Sequence, residues 1–306
     1  MSASGGTKAV TAALGANAGI AAAKFVGFLV TGSSSMLAEA VHSVADTANQ
    51  GLLLLGKKKS ERSATEEHPF GYGRERYFYG FVVALMLFSL GAIFAIYEGI
   101  EKVLQPHEID SVLVALVILV LAMMLEGFSF RTAVRESAKL KGSATWWQFI
   151  RKAKAPELPV VLLEDSAALL GLAFALLGVG LSTLTGNAVW DGVGTLAIGA
   201  LLGTVAIVLI VEMKSLLIGE GADPAMLRRI VEELERGRVS RVIHIRTEYI
   251  GPEELMVAAK IAVPGSLLVT EVAGAIDDAE ARVRSAVPSV GLIYLEPDLD
   301  RTQTAP

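Results

Sequence analysis

The sequence predicts an α-helical membrane protein with six transmembrane helices, followed by a small α+β domain. Of its 306 residues, 53% are hydrophobic and 19% are charged, whereas a soluble domain carries about 25% charged residues. Six apolar runs have roughly the 20 residues that cross a bilayer as a helix. From Lys214 onward the composition becomes ordinary and charged. This composition excludes an ordinary cytosolic enzyme.

The apolar runs and the basic links between them predict the topology. The links between the second and third runs and between the fourth and fifth are rich in lysine and arginine, and such loops stay cytoplasmic. We therefore expect both termini in the cytoplasm and a division into a transmembrane domain, 1–213, and a cytoplasmic domain, 214–306. The runs span residues 9–30, 36–55, 77–100, 112–130, 158–181 and 189–211.

The last 90 or so residues are enough for one small domain. Asp223-Pro224 is a start signal for a helix that we expect to reach Arg236, because aspartate caps the N-terminus and proline suits the first turn. Gly251-Pro252 predicts a turn between two strands. The predicted order is helix–strand–strand–helix–strand, a two-layer α+β domain of the ferredoxin-like kind, with the later elements at 242–249, 255–263, 269–287 and 292–295.

Ionisable residues inside the predicted spans mark pathways or binding sites, because each costs a few kcal/mol to insert. In the second span His42 and Asp46 are four residues apart and share one helical face. In the fifth span Glu164 and Asp165 are adjacent and point roughly 100° apart, so they cannot both face one small site squarely.

This donor set predicts a metal. Zinc accepts histidine nitrogen and carboxylate oxygen, and the chain has no cysteine for thiolate sites, disulfides or iron–sulfur clusters. His42, Asp46 and Asp165 would supply three ligands to a transported divalent ion. The alternative is a buried histidine–carboxylate hydrogen bond that orients two helices. Glu126 in the fourth span is the next candidate, as a ligand, a proton acceptor or a partner for a buried cation.

The remaining charges in or near the spans have simpler interpretations. Lys24 in the first span needs a carboxylate partner or a path to the interface. Glu98, Glu101 and Lys102 are expected to form a solvated helix end, and Asp191 to lie at the interface. The net charge of -5 gives no footprint for nucleic acid.

Two motifs carry a resemblance to a family. Thr31-Gly32-Ser33 leads into LAEAVHSVAD at 37–46, and HPFGYG follows at 68–73. With the six spans, these segments resemble the cation diffusion facilitators, which exchange metal for protons. Residues 42–53, Glu126-Gly127 and 162–168 resemble the branch of mitochondrial zinc transporter nine and its bacterial relatives. The resemblance implies Zn²⁺ as the transported ion, no prosthetic group, a homodimer, and lipid, metal and protons as partners.

The resemblance also implies a site of two residues four apart in the second span and two four apart in the fifth. His42, Asp46 and Asp165 match this pattern, but Val161 occupies the fourth position. The fourth ligand stays open, with Glu164 or Glu126 favoured; the other candidates are Glu39, Asn17 and water.

Two further metal sites of the family are incomplete in this chain. Tyr72 stands where a second histidine often accompanies His68. In the C-terminal domain His244 and Glu296 match possible metal positions, with His244 expected on a strand surface. Histidine is replaced at three other positions, Ala259, Ala273 and Tyr294. We expect this domain to dimerise through packing.

The leading hypothesis is a secondary transporter, not an enzyme, that exports Zn²⁺ from the cytoplasm in exchange for protons, with His42 as proton carrier. Manganese, iron, cobalt and nickel can use the same donors. A membrane metalloenzyme is a rival, but His-Glu-x-x-His is absent; a metal-gated receptor or structural protein is another. The N-terminus lacks signal and transit patterns, which favours a bacterial inner membrane.

Overall fold

The computed structural model describes residues 3–31, 34–106 and 112–299, without the side chains of residues 3–5, 30–31, 34–39 and 41–42. Two predicted site residues, Glu39 and His42, therefore have side chains outside the described part. The chain forms two compact units. The first comprises Met1–Lys59 and Glu75–Lys214, and the second comprises Ser60–Arg74 and Ser215–Pro306. Residues 60–74, which lie between the second and third predicted spans, thus group with residues 215–306.

The described residues of the first unit form helices joined by short turns. Within these residues, five helical segments are long and apolar enough to cross a membrane: Gly6–Leu29, Glu75–Leu104, Val112–Lys141, Glu157–Thr185 and Val189–Ile218. The second predicted span is helical over 27 residues, but its polar and charged side chains lower its hydropathy. The helices are α1 Ala3–Thr31, α2 Ser34–Ser60, α3 Glu75–Met86, α4 Phe94–Leu104, α5 Val112–Lys141, α6 Trp146–Lys152, α7 Glu157–Thr185 and α8 Val189–Ile218.

A π-helical segment, Leu87–Ile93, joins α3 to α4 within one continuous helical run. The Ser89 hydroxyl donates a hydrogen bond to the Leu85 carbonyl, at 2.8 Å. Each π turn adds a residue to the helical turn, so the segment changes the direction in which the side chains of α4 point relative to those of α3. Periodicity alone did not predict this segment.

Close packing holds the helices together. Helix α1 packs against α5 and α7, and α5 packs against α7. Helices α4 and α8 approach through glycines: a Cβ on Gly99 would lie 2.8 Å from the Leu196 nitrogen, and one on Gly192 would lie 2.9 Å from the Val103 nitrogen. Small residues let helix backbones meet in membranes, where association depends on van der Waals contact.

The second unit has the predicted order of helices and strands: α9 Pro224–Leu234, β1 Arg241–Gly251, β2 Glu254–Val263, α10 Val269–Ala286 and β3 Val290–Leu299. Asp223 caps α9 by accepting bonds from the Ala225 and Met226 amides, at 2.9 and 3.0 Å. The sheet order is β1-β2-β3, with β1 antiparallel and β3 parallel to β2. Alternate β2 residues, such as Leu255 and Val257, are buried in one core with both helices.

A buried ion pair joins α3 to α7. The Arg76 guanidinium donates from Nε to Glu157 Oε1 at 2.5 Å and from Nη2 to Glu157 Oε2 at 2.7 Å. Both residues are buried. Such two-point pairing suits the planar guanidinium, and loss of either partner would leave an uncompensated buried charge.

Glu157→Ala should therefore lower the free energy of unfolding by about 3–5 kcal/mol. Thermal unfolding of the purified protein in detergent would measure the change. Glu280→Ala is the control, because Glu280 pairs with the half-exposed Arg284 and such surface pairs contribute about 1 kcal/mol or less. Equal shifts in the two variants would contradict the assigned role of the buried pair.

Candidate functional site

Asp46 and Gln50 lie on one face of α2. Gln50 lies one helical turn after Asp46 and is fully buried. The Gln50 amide donates from Nε2 to Glu164 Oε2 of α7, at 2.6 Å. This bond ties the predicted second span to the carboxylate pair of the predicted fifth.

The neighbouring carboxylate of α7 is held by a different helix. Asp165 is 1% exposed, and its Oδ2 accepts a hydrogen bond of 2.6 Å from the hydroxyl of Ser129 in α5. Glu164 and Asp165 thus bond to different helices, as their angular separation predicted. Ser129 follows Glu126 by three residues, which places both on one face of α5.

Four carboxylates lie within electrostatic range of one another at this level of the helices. Those of Asp46, Asp165 and Glu126 all act on Glu164, and Glu126 is also near Lys24. The second oxygen of Glu164, Oε1, is buried and has no hydrogen-bond partner among the described residues. Glu126, Glu164 and Asp165 are buried, whereas Asp46 is half-buried. Carboxylates in such surroundings repel one another unless protons or cations compensate them.

A cavity of about 300 Å³ reaches this group from one side. Asp46 and Glu126 line the cavity, together with Asn17 and Lys24. Glu164 and Asp165 are absent from its wall. Two of the four carboxylates thus line the cavity. The other two, Glu164 and Asp165, accept hydrogen bonds from Gln50 and Ser129.

The same cavity extends to a second charged group where α4 ends and α8 begins. Lys102 Nζ lies 3.1 Å from Glu98 Oε1 and 3.0 Å from Asp191 Oδ2. These three side chains are 22–33% exposed and form one ion-paired group, a pairing of two helix ends that the sequence did not predict.

Four of the five predicted metal-site residues act on one another electrostatically in the structure: Asp46, Glu126, Glu164 and Asp165. The fifth, His42, has its side chain outside the described residues. Within the described part of the chain, no group of three or more histidine, aspartate or glutamate side chains is close enough to hold one metal ion. Val161 is fully buried in the apolar core.

Gln50 and Ser129 were missed by sequence reasoning. A regular spacing could have revealed them: Gln50 follows Asp46 by four residues, and Ser129 follows Glu126 by three. Both intervals return to the same helix face. Neutral polar residues give no hydropathy signal as strong as that of a charge, so they did not stand out.

The incomplete family site at His68 contains an aromatic contact. The His68 and Tyr72 rings meet edge to face, with their centroids 4.7 Å apart. The Tyr72 hydroxyl is 3.3 Å from Thr65 Oγ1, whose oxygen accepts a bond from the His68 amide at 3.1 Å. Tyr72 therefore stabilises the loop where a second histidine would have offered a ligand.

In the C-terminal unit Lys260 lies between His244 and Glu296, the two residues that match possible metal positions of the family. His244 is exposed and faces Lys260 across the sheet, and Glu296 is opposite Lys260 on the other side. Lys260 Nζ lies 3.0 Å from Glu296 Oε1 and 3.1 Å from Asp298 Oδ2. Hydrogen bonds to Glu296 and Asp298 raise the pKa of Lys260. An ammonium thus already compensates Glu296.

These observations define an integral membrane protein with an acidic site among its helices and a C-terminal α+β unit. Residues 10–218 match the family model described as the cation efflux transmembrane domain. The chain belongs to the cation efflux, or cation diffusion facilitator, family and resembles the branch of the mitochondrial zinc antiporters. This is a family of transporters.

Two named relatives illustrate the similarity. The mitochondrial proton-coupled zinc antiporter SLC30A9 of Mus musculus is 38% identical over 72% of this chain and 39% of its own length. Metal tolerance protein C4 of Arabidopsis thaliana is 33% identical over 86% of this chain and 58% of its own length. The aligned part of this chain thus spans well under two thirds of either relative.

Among solved structures, the nickel form of a variant MamM C-terminal domain is similar to part of the chain. It is 25% identical, with a TM-score of 0.24, and the match covers 25% of this chain and 96% of that domain.

Ser129→Ala should destabilise the protein by about 1–3 kcal/mol, because Asp165 would lose its donor while staying buried. Chemical denaturation of the purified protein measures this change. Ser137→Ala is a matched control: Ser137 is equally buried in α5, but its hydroxyl has no partner among the described residues. Equal destabilisation by the two substitutions would mean that the bond to Asp165 contributes nothing.

Proposed function

We propose that this chain is a secondary active transporter that exports a divalent metal ion, Zn²⁺ in the first instance, from the cytoplasm in exchange for protons. The observation that carries the proposal is the group of four carboxylates among the helices, two of which line a cavity. Membership of the cation efflux family supports it. The relatives named as zinc antiporters favour zinc and protons as the exchanged ions.

We assign the transport site to Asp46 and Asp165 together with His42. Ser129 would fix the orientation of Asp165, as partners behind a ligand do in metal sites. Glu126 faces the cavity, and Glu164 has a buried oxygen without a bond among the described residues. These two remain the favoured candidates for the fourth ligand, in place of Val161.

Proton coupling follows from the ligand chemistry. Histidine and carboxylates bind a metal only when they are deprotonated, so protons and metal compete for one site. In an apolar interior the repulsion between several ionised carboxylates is strong, and it is relieved by either kind of cation. Exchange then requires only that the loaded site opens alternately to the two sides of the membrane.

The topology that this mechanism needs has six spans, with α2 crossing the membrane beside the five more apolar helical segments. We propose both termini in the cytoplasm of a bacterial inner membrane, with residues 1–213 as the transport domain. Residues 214–306 would form a cytoplasmic domain in which two copies of the chain pair through packing. Basic links after α2 and α5 support this orientation.

Manganese, iron, cobalt or nickel could replace zinc at the same donors, because geometry and availability decide selectivity more than affinity. A metal-gated receptor or structural membrane protein is the alternative of a different class. Metal binding without flux would favour that alternative.

Flux into liposomes tests the proposal. Purified protein should move Zn²⁺ in the direction opposite to the protons that flow down an imposed pH gradient. Asp46→Asn and Asp165→Asn should each reduce this Zn²⁺ flux to the level of protein-free liposomes. Glu212→Gln is the control, because Glu212 is a carboxylate outside the site that pairs with Arg151 at 3.1 Å. Gradient-driven flux retained in either aspartate variant would remove that residue from the site; no flux of any divalent ion would overturn the transport proposal.

A further inference from the structure

The ammonium of Lys102 has three partners within reach at the far end of the cavity. Its Nζ lies 3.1 Å from Glu98 Oε1, 3.0 Å from Asp191 Oδ2 and 3.4 Å from Thr195 Oγ1. An ammonium has three donors, so this group satisfies the lysine. We call Glu98, Lys102, Asp191 and Thr195 the mouth cluster.

The backbone geometry explains why this cluster forms. Lys102 and Glu98 are on α4, whereas Asp191 and Thr195 are on α8. The two helices meet at Gly99 and Gly192, where a Cβ would clash with the opposite backbone. Gly99 follows Glu98 and Gly192 follows Asp191, so the closest approach of the helices brings both carboxylates to one ammonium.

The mouth cluster lies in the wall of the cavity that also contains Asp46 and Glu126. A cation that moves from these carboxylates through the cavity to this end therefore passes the cluster. Glu98 and Asp191 contribute oxygen atoms to one cation position from two helices. Without Lys102, two carboxylates facing a wet cavity would offer the hard oxygen ligands that divalent ions accept.

We propose that Lys102 is a tethered cation that fills a divalent-ion position between Glu98 and Asp191, so that the transported metal leaves past them without being held. The proposal rests on the proposed transport function. Two carboxylates against one ammonium leave the mouth weakly negative, which still attracts a metal ion electrostatically. Because the ammonium is covalently attached, it compensates the carboxylates at every metal concentration and pH gradient.

Equilibrium binding of Zn²⁺ to the full chain in detergent tests this assignment. Lys102→Met should bind one more Zn²⁺ per chain than the unsubstituted protein does. Lys102→Met combined with Asp191→Asn should return to the original number, because one of the two carboxylates is then neutral. Lys102→Arg keeps the positive charge and should also bind the original number.

Because the chain contains no cysteine, a thiol introduced at residue 102 can be modified selectively. Charged and neutral side chains can then be compared at this position in the same protein. Lys102→Cys introduces a single thiol, which a methanethiosulfonate reagent can convert into a mixed disulfide with an aminoethyl or a methyl group. The aminoethyl product carries an ammonium, whereas the methyl product is neutral and two heavy atoms shorter. The methyl product should bind the additional Zn²⁺, and the aminoethyl product should not.

Flux gives a second readout. With Zn²⁺ raised on the release side, the methyl product should be inhibited at concentrations at least several-fold lower than those that inhibit the aminoethyl product. Equal Zn²⁺ numbers and equal inhibition for the two products would overturn the role of Lys102. The proposed function has a separate test, because it is contradicted if the unsubstituted protein shows no flux. That result would not change the number of Zn²⁺ ions bound per chain.

Discussion

Burial of negative charge among apolar helices is the constraint on which the rest of this structure depends. A carboxylate in such a place is costly unless a partner or a cation compensates it. The carboxylates in different parts of the helical unit have different kinds of partners. Arg76 pairs one to one with Glu157, whereas the single ammonium of Lys102 offsets only part of the charge of Glu98 and Asp191. Around Asp165, hydroxyl and amide donors provide bonds without providing positive charge.

The Arg76–Glu157 pair and the carboxylates near Asp165 differ in how their charge is compensated. The Arg76–Glu157 pair is buried and two-point bonded, so it serves to join α3 to α7. Near Asp165 the described donors to the carboxylates, Gln50 and Ser129, are neutral, and Lys24 is the described basic residue that acts on Glu126. A site that is short of positive charge can accept cations that come and go, which is what exchange requires.

Much of this arrangement could be read from sequence because charged residues in apolar runs are conspicuous. Asp46, Glu126, Glu164 and Asp165 were all selected on that ground, and their grouping depends on helix contacts that a single sequence does not contain. Gln50 and Ser129 escaped because neutral polar residues are common in helices. The order of elements in the C-terminal unit was predicted correctly from capping and turn residues. Strand β3, Val290–Leu299, is longer than the predicted strand at 292–295, because its exposed half has no apolar alternation that would indicate a strand.

The mouth cluster could not be predicted for a related reason. Each of its charges lies near a helix end, where solvated charges are ordinary. Only the close approach at Gly99 and Gly192 turns three separate charges into one group, and that approach is a property of two helices packed together. The π-helical segment before α4 was equally hidden, because hydrophobic periodicity does not reveal an added residue within one turn.

The most direct test of the central claim is the number of protons released when Zn²⁺ binds to the purified protein. Calorimetric titration in buffers of different ionisation enthalpy gives this number. If protons and metal compete for the carboxylates around Asp165, binding should release protons, and Asp165→Asn should abolish or reduce the release. Zn²⁺ binding with no proton release, or with a release unchanged in Asp165→Asn, would contradict the account.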